Sequence, residues 1–131
     1  MSYSRAAVAY RQQEILTASP KRLVVIIYDL LLASLRRARM AIAAGKVADR
    51  AEALSKANAA VMELLVSTDV ERGGDLAQQL RALYAFFFKE LLELGRRPDV
   101  ERIDKVIAMV NQLRDAFAVA ANEPVARVPA A

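Results

Sequence analysis

The chain contains no cysteine and no histidine. The first absence removes disulfides and thiol catalysis, and the second removes the commonest metal ligand and the usual general base near neutral pH. Di-metal carboxylate bundles of the Glu-x-x-His type are excluded on the same ground. Glycine and proline are also sparse, four of each in 131 residues, so turns are few and the segments between them long. Neither a phosphate-cradling GxxxxGK[ST] loop nor a GxGxxG motif after a strand occurs, and Gly73-Gly74 stands alone as a turn signal. The amino terminus leads from Met1 to Arg5 without an apolar segment and cleavage site, the pattern expected of a cytoplasmic protein.

Apolar residues, by contrast, make up 56% of the chain, against 26% charged. That balance argues against global disorder, and the length suits one domain with a substantial core. Nineteen basic and fifteen acidic residues leave a net charge of +4. The densest basic cluster, Arg36-Arg37-x-Arg39, has no aromatic residue interleaved with it, as base stacking requires, so it reads as a solvated helix face.

The run from Leu23 to Leu35 is the most informative stretch, because only Asp29 and Ser34 interrupt its thirteen residues. Basic residues flank it on both sides, and a membrane span needs about 20 apolar residues, so it is too short to cross a bilayer. A soluble helix so apolar is either central to a core or one wall of a docking site. Asp29 within it could be a desolvated acid, but a solvent-facing carboxylate or an arginine partner is the simpler expectation.

Punctuation and period predict four helices. Ser19-Pro20 supplies an N-cap and a first-turn proline, and Gly45 a left-handed stop after Ala44. A second helix runs over about 48–68. A third follows the Gly73-Gly74-Asp75 turn and ends near Leu94, before Gly95-Arg96-Arg97-Pro98. The fourth starts near Asp99 and has the cleanest period: Val100, Ile103, Val106, Ile107, Val110, Leu113, Phe117 and Ala120. Short connections favour an all-α, antiparallel up-down-up-down four-helix bundle over residues 19–121. Residues 1–18 read as an amino-terminal arm or short helix resting on the bundle, and residues 122–131, with two prolines, as a disordered tail.

Two helices carry more apolar surface than one buried face needs. On the first, Leu23, Ile27, Leu30 and Ala38 form one stripe, while Val24, Tyr28, Leu31, Leu35 and Ile42 form another. A bundle core uses about three positions in seven, so the second stripe needs a cover: the arm, a second copy or a foreign segment, or else both stripes are buried by neighbouring helices and the arm with no function attached. On the third helix, Phe88 and Leu92 lie off one edge of the principal stripe and Phe86 off the other.

The string Tyr10-(x)6-Thr17-Ala18-Ser19-Pro20-x-x-Leu23-x-x-x-Ile27-Tyr28-Asp29 is similar to the start of the flagellin-specific export chaperone family known as FliS. Asp69-x-Glu71-x-Gly73-Gly74-x-Leu76-Ala77-x-x-Leu80-x-x-Leu83-Tyr84 resembles that family's Gly-Gly turn and Leu-Tyr helix, and Pro98-Asp99, Val106 and Leu113-Arg114 continue in register. The resemblance implies a cytoplasmic chaperone, not an enzyme and without cofactor or metal. It would bind the disordered carboxy-terminal segment of flagellin in apolar grooves, block premature polymerisation and meet the flagellar export gate. Tyr10 matches a tyrosine of the family's amino-terminal segment, which is associated with the client site. The residues expected to contact the client are Tyr10, Ile15, Val24, Tyr28, Leu31, Leu35, Phe88 and Leu92. Neither nucleic acid nor membrane insertion is expected, and the chain should be a monomer or weak homodimer. A basic nucleic-acid-binding module and a structural homodimer are the competing readings.

Overall fold

A computed structural model describes residues 5–9, 12–13 and 19–122. Among these no strand occurs, and four long helices account for most of the chain: α1 (Pro20–Ala44), α2 (Val47–Ser67), α3 (Val70–Arg96) and α4 (Val100–Ala120). Residues 5–9 and 12–13 are also helical and exposed, with Val8 57% accessible. Tyr10, Ile15, most of the expected arm and the expected tail beyond Asn122 lie outside the described residues.

The helix ends follow from local chemistry. At α1 the Ser19 hydroxyl accepts from the Arg22 N–H at 3.2 Å, and Gly45 closes the helix at φ 68°. A left-handed residue there returns its N–H to the last-turn carbonyls at little cost only when it lacks a Cβ. Asp99 caps α4 through the Arg102 N–H. Asp69 caps α3 by accepting from Glu71 and Arg72. The turn expected at Gly73-Gly74 is therefore not a plain loop: Asp69 starts one short helical turn, which Gly74 breaks at φ 57°, ψ −134° before the long part of α3 begins.

Short connections make successive helices neighbours, and α1 packs against both α2 and α4 while α3 lies along α2 and touches α4 more lightly. The core joins Leu31 and Leu35 of α1, Leu54, Val61 and Leu64 of α2, Tyr84, Phe87, Leu91 and Leu94 of α3, and Ile103, Val106 and Val110 of α4. Each such side chain contributes roughly 1.5–3 kcal/mol by leaving water. Ion pairs then fix helix against helix at the rim. Arg39 of α1 meets Asp104 of α4 at 2.8 Å, and Arg114 of α4 meets Asp29 of α1 at 2.9 Å. Asp29 thus finds the arginine partner that its place in an apolar run called for. The hydrogen bond to Asp29 holds the Arg114 guanidinium protonated more firmly than an ordinary arginine, against the opposing effect of burial.

Gly74 occupies a region of backbone space that side chains avoid, with open space around its Cα. Gly74→Ala is therefore expected to lower stability by about 1–3 kcal/mol through strain alone, read as a shift of the urea midpoint at unchanged slope.

Candidate functional site

Tyr28 and Tyr84 meet at the centre of the bundle. Their hydroxyl oxygens are 2.6 Å apart, their rings 6.4 Å, and both side chains are almost wholly buried. The ring of Phe117 packs on Tyr28 at 5.3 Å. Burial, reinforced by the hydrogen bond to Tyr84, pushes the Tyr28 phenol above its ordinary value; burial likewise raises Tyr84. Neither phenol is a base or nucleophile near neutral pH. The pair is a polar pin in an apolar core, and among the described residues no cluster of acidic side chains could hold a metal ion.

This pin overturns part of the expected client surface. Tyr28, Leu31 and Leu35 are 0% exposed, so a partner cannot touch them in the folded bundle. The physical reason is the Tyr28 hydroxyl, which reaches a partner 56 residues away and so turns its whole stripe inward. Leu31 and Leu35, three and seven residues on, follow it by helical geometry. Val24 is half-buried against the same core, whereas Leu30, on the stripe assigned to the core, is 37% exposed. Val25 and Ile26 are buried too, so most of the apolar run of α1 is turned to the interior, while Leu30 and, further on, Met40 stay exposed.

The uncovered apolar surface belongs to α3 and its neighbours. Arg81 donates to the Leu65 carbonyl at 3.2 Å and Arg50 to the Gly95 carbonyl at 3.3 Å, which sets an antiparallel register between α2 and α3. That register sets Asn58 level with Phe88 and Met62 level with Tyr84, with Leu92 about one turn further along α3. Phe88 is half-buried, while Met62 and Leu92 are 43% and 53% exposed. Beneath this seam the Asn58 side-chain oxygen is buried with no hydrogen-bond partner among the described residues. A buried acceptor without a donor is costly, and this one is enclosed by the bundle itself.

The other flank of α3 faces α4. Arg102 clasps Glu90 with both guanidinium edges, one bond at 3.0 Å, and this bond holds the Glu90 carboxyl below its usual range despite desolvation. Further from that clasp, Phe86 is 43% exposed, and Leu83, Met109 and Leu113 are only partly covered. The α3–α4 boundary is thus a second apolar seam, ion-paired at one end and loosely packed along its length. Two amphipathic grooves flanking one helix can accept short helices but lack groups for bond chemistry. Of the residues on these flanks, the sequence singles out Phe88 and Leu92 as expected contacts, and the structure leaves them half-buried and exposed. Sequence reasoning missed Met62, which looks like an ordinary core residue by type, and Asn58, whose unpaired oxygen only the packing reveals.

The family model described as flagellar protein FliS matches residues 3–124. The chain belongs to the FliS family. Similar relatives include the flagellar secretion chaperone FliS of Salmonella typhimurium, 31% identical over 117 residues, covering 88% of this chain and 84% of the relative. The protein of the same name from Escherichia coli is 31% identical over 122 residues, covering 89% and 90%. That of Campylobacter jejuni is 30% identical over 128 residues and covers 97% of this chain and all of its own. Membership and the helical bundle agree, and no helix among the described residues is long and apolar enough to cross a membrane.

Tyr84→Phe leaves the buried Tyr28 hydroxyl without its partner and is expected to cost about 1–3 kcal/mol. The double variant Tyr28→Phe, Tyr84→Phe removes both groups and should be the less destabilised of the two in denaturant melts. Alkaline pH probes the same pair. Folded phenols whose pKa is raised stay neutral while unfolded ones ionise, so stability should be level up to about pH 10, the ordinary tyrosine value, and fall above it. A midpoint that does not decline there would place water at the pair.

Proposed function

We propose that this chain is a cytoplasmic secretion chaperone, a binding protein rather than an enzyme, that captures the disordered carboxy-terminal segment of flagellin and holds it for export. The observation that carries the reading is the exposed apolar surface on both flanks of α3, seen in a chain that belongs to the FliS family. The curated relatives are named flagellar secretion chaperones, which supports a client drawn from the flagellum.

The mechanism is coupled folding. A disordered segment that orders on binding loses about 2–5 kcal/mol of the gross interaction energy. Apolar side chains laid against Phe88, Leu92 and Met62 on one flank, and against Phe86, Leu83 and Met109 on the other, offset that loss at roughly 25 cal/mol per Å2. Tyr28, Leu31 and Leu35 serve the site indirectly, by holding α1 so that α3 keeps its flanks outward. Tyr10, Ile15 and Val24 remain proposed contacts, the amino-terminal segment taking up part of the client surface until the client arrives. A client held helical against the bundle cannot polymerise, and the complex is then presented to the export gate. Neither nucleotide nor metal enters this cycle.

Calorimetric titration with the carboxy-terminal segment of flagellin from the same genome should give saturable binding. Leu92→Asp, at an exposed position, should weaken it at least tenfold with an unchanged thermal melt, and Tyr10→Ala should weaken it to a smaller extent. A folded chain that binds no flagellin segment overturns the proposal. Binding unmoved by Leu92→Asp removes the α2–α3 seam from it.

A further inference from the structure

The cleft between the carboxy-terminal half of α1 and the amino-terminal half of α2 lies on the side of α2 away from the α3 seam. Its volume is ≈ 360 Å3, within the range of roughly 300–1,000 Å3 common to ligand sites. The cause of the opening is compositional. Both helices carry small residues where they face each other, Ala41 and Ala44 against Ala53, so the interhelical space beside the Gly45 turn is not filled. Met40, 68% exposed, stands at its edge, and Val47, 63% exposed, carries apolar surface past the turn.

The charges around the rim do not cancel. Lys56 is neutralised by Glu52 at 3.2 Å, one helical turn away. Asp49 sits in the first turn of α2, where a carboxylate complements the helix dipole. Arg37 and Lys46, both exposed, make no ion pair among the described residues. This contrasts with Arg39, Arg102 and Arg114, each committed to a carboxylate. The cleft therefore presents an apolar wall of Met40 and Ala44, above the nearly covered Ala41 and Ala53, beside two uncommitted cations and the carboxylate of Asp49. It has no aromatic residue on which a base could stack. A chain segment that carries carboxylates beside an apolar side chain complements this combination of cations and apolar wall.

We propose that this cleft is a second docking site, for an acidic apolar peptide segment of a partner protein, which seats an aliphatic or aromatic side chain against Met40 and Ala44 and places flanking carboxylates at Arg37 and Lys46. The site is independent of the α3 seams, so the bundle can hold a client on one side and a second acidic partner on the other. Complementary charge at the rim governs encounter rate and specificity, while the wall supplies the apolar contact.

The four methionines make the test direct, since Met40 lies at the cleft, Met62 on the α2–α3 seam and Met109 on the α3–α4 seam. With the full chain labelled at its methionine methyl groups, a capped tetrapeptide of two leucines between two glutamates is titrated and followed by NMR. The Met40 resonance is expected to shift saturably while those of Met62 and Met109 stay in place. The same peptide with lysines for glutamates should shift nothing, and the double variant Arg37→Glu, Lys46→Glu should weaken the Met40 response at least tenfold. The proposal is overturned if Met40 does not move, if the lysine peptide acts equally, or if Met62 or Met109 responds instead. It is also overturned if Met40 shifts with protein concentration alone, because the occupant would then be a second copy of the chain.

Discussion

Everything in this bundle is arranged around the need to enclose α1. A helix apolar on nearly every side cannot remain at a surface, and α2 and α4 close over it from either side while α3 reaches its centre through the Tyr28–Tyr84 hydroxyl pair. Among the described residues that pair is the one hydrogen bond between two buried side chains, and it selects a rotation for α1 and α3 together. Slide either helix by one residue and a hydroxyl faces hydrocarbon unpaired. With the middle of α1 enclosed, much of the exposed apolar surface falls elsewhere, and α3 carries it on both flanks.

Much of this was legible in the sequence. Ser19, Pro20 and Gly45 mark α1 by their own backbone chemistry, and α1 ends where they put it. The period through Ile103, Val106 and Val110 identifies the buried face of α4, and Phe86 and Leu92 were recognised as surplus on α3. The face of α1 was not legible, because periodicity resolves two apolar stripes and says nothing about which one meets the core. Tyr84, far away in the chain, decides it. The short helical turn before Gly74 escaped for a different reason: a few residues are too short to show a period, and only the Asp69 cap betrays them. Asn58 is invisible for a third, since an unpaired oxygen is a property of its surroundings and not of its residue type.

The placement of charge separates structural from available surface. Arg39, Arg102 and Arg114 are tied across helix boundaries, where each aligns two helices rather than standing ready for a partner. Half-exposed pairs of this kind contribute little to stability individually. Their effect is geometric, holding α4 against α1 at two points and against α3 at one, with the apolar α3–α4 seam left open beyond the clasp. A bundle built so can be stable at its centre and still adaptable at its margins, because opening a seam disturbs few core contacts.

The bond between Asp29 and Arg114 spans 85 residues, and that separation matters while the chain is being made. Domains assemble as synthesis proceeds from the amino terminus, yet the α4 side of α1 has no cover until nearly the whole chain has emerged. The nascent protein thus spends most of its synthesis displaying an unshielded apolar run close to its amino terminus. A chaperone of this architecture is, during its own birth, the kind of unfinished surface that it is proposed to protect in others.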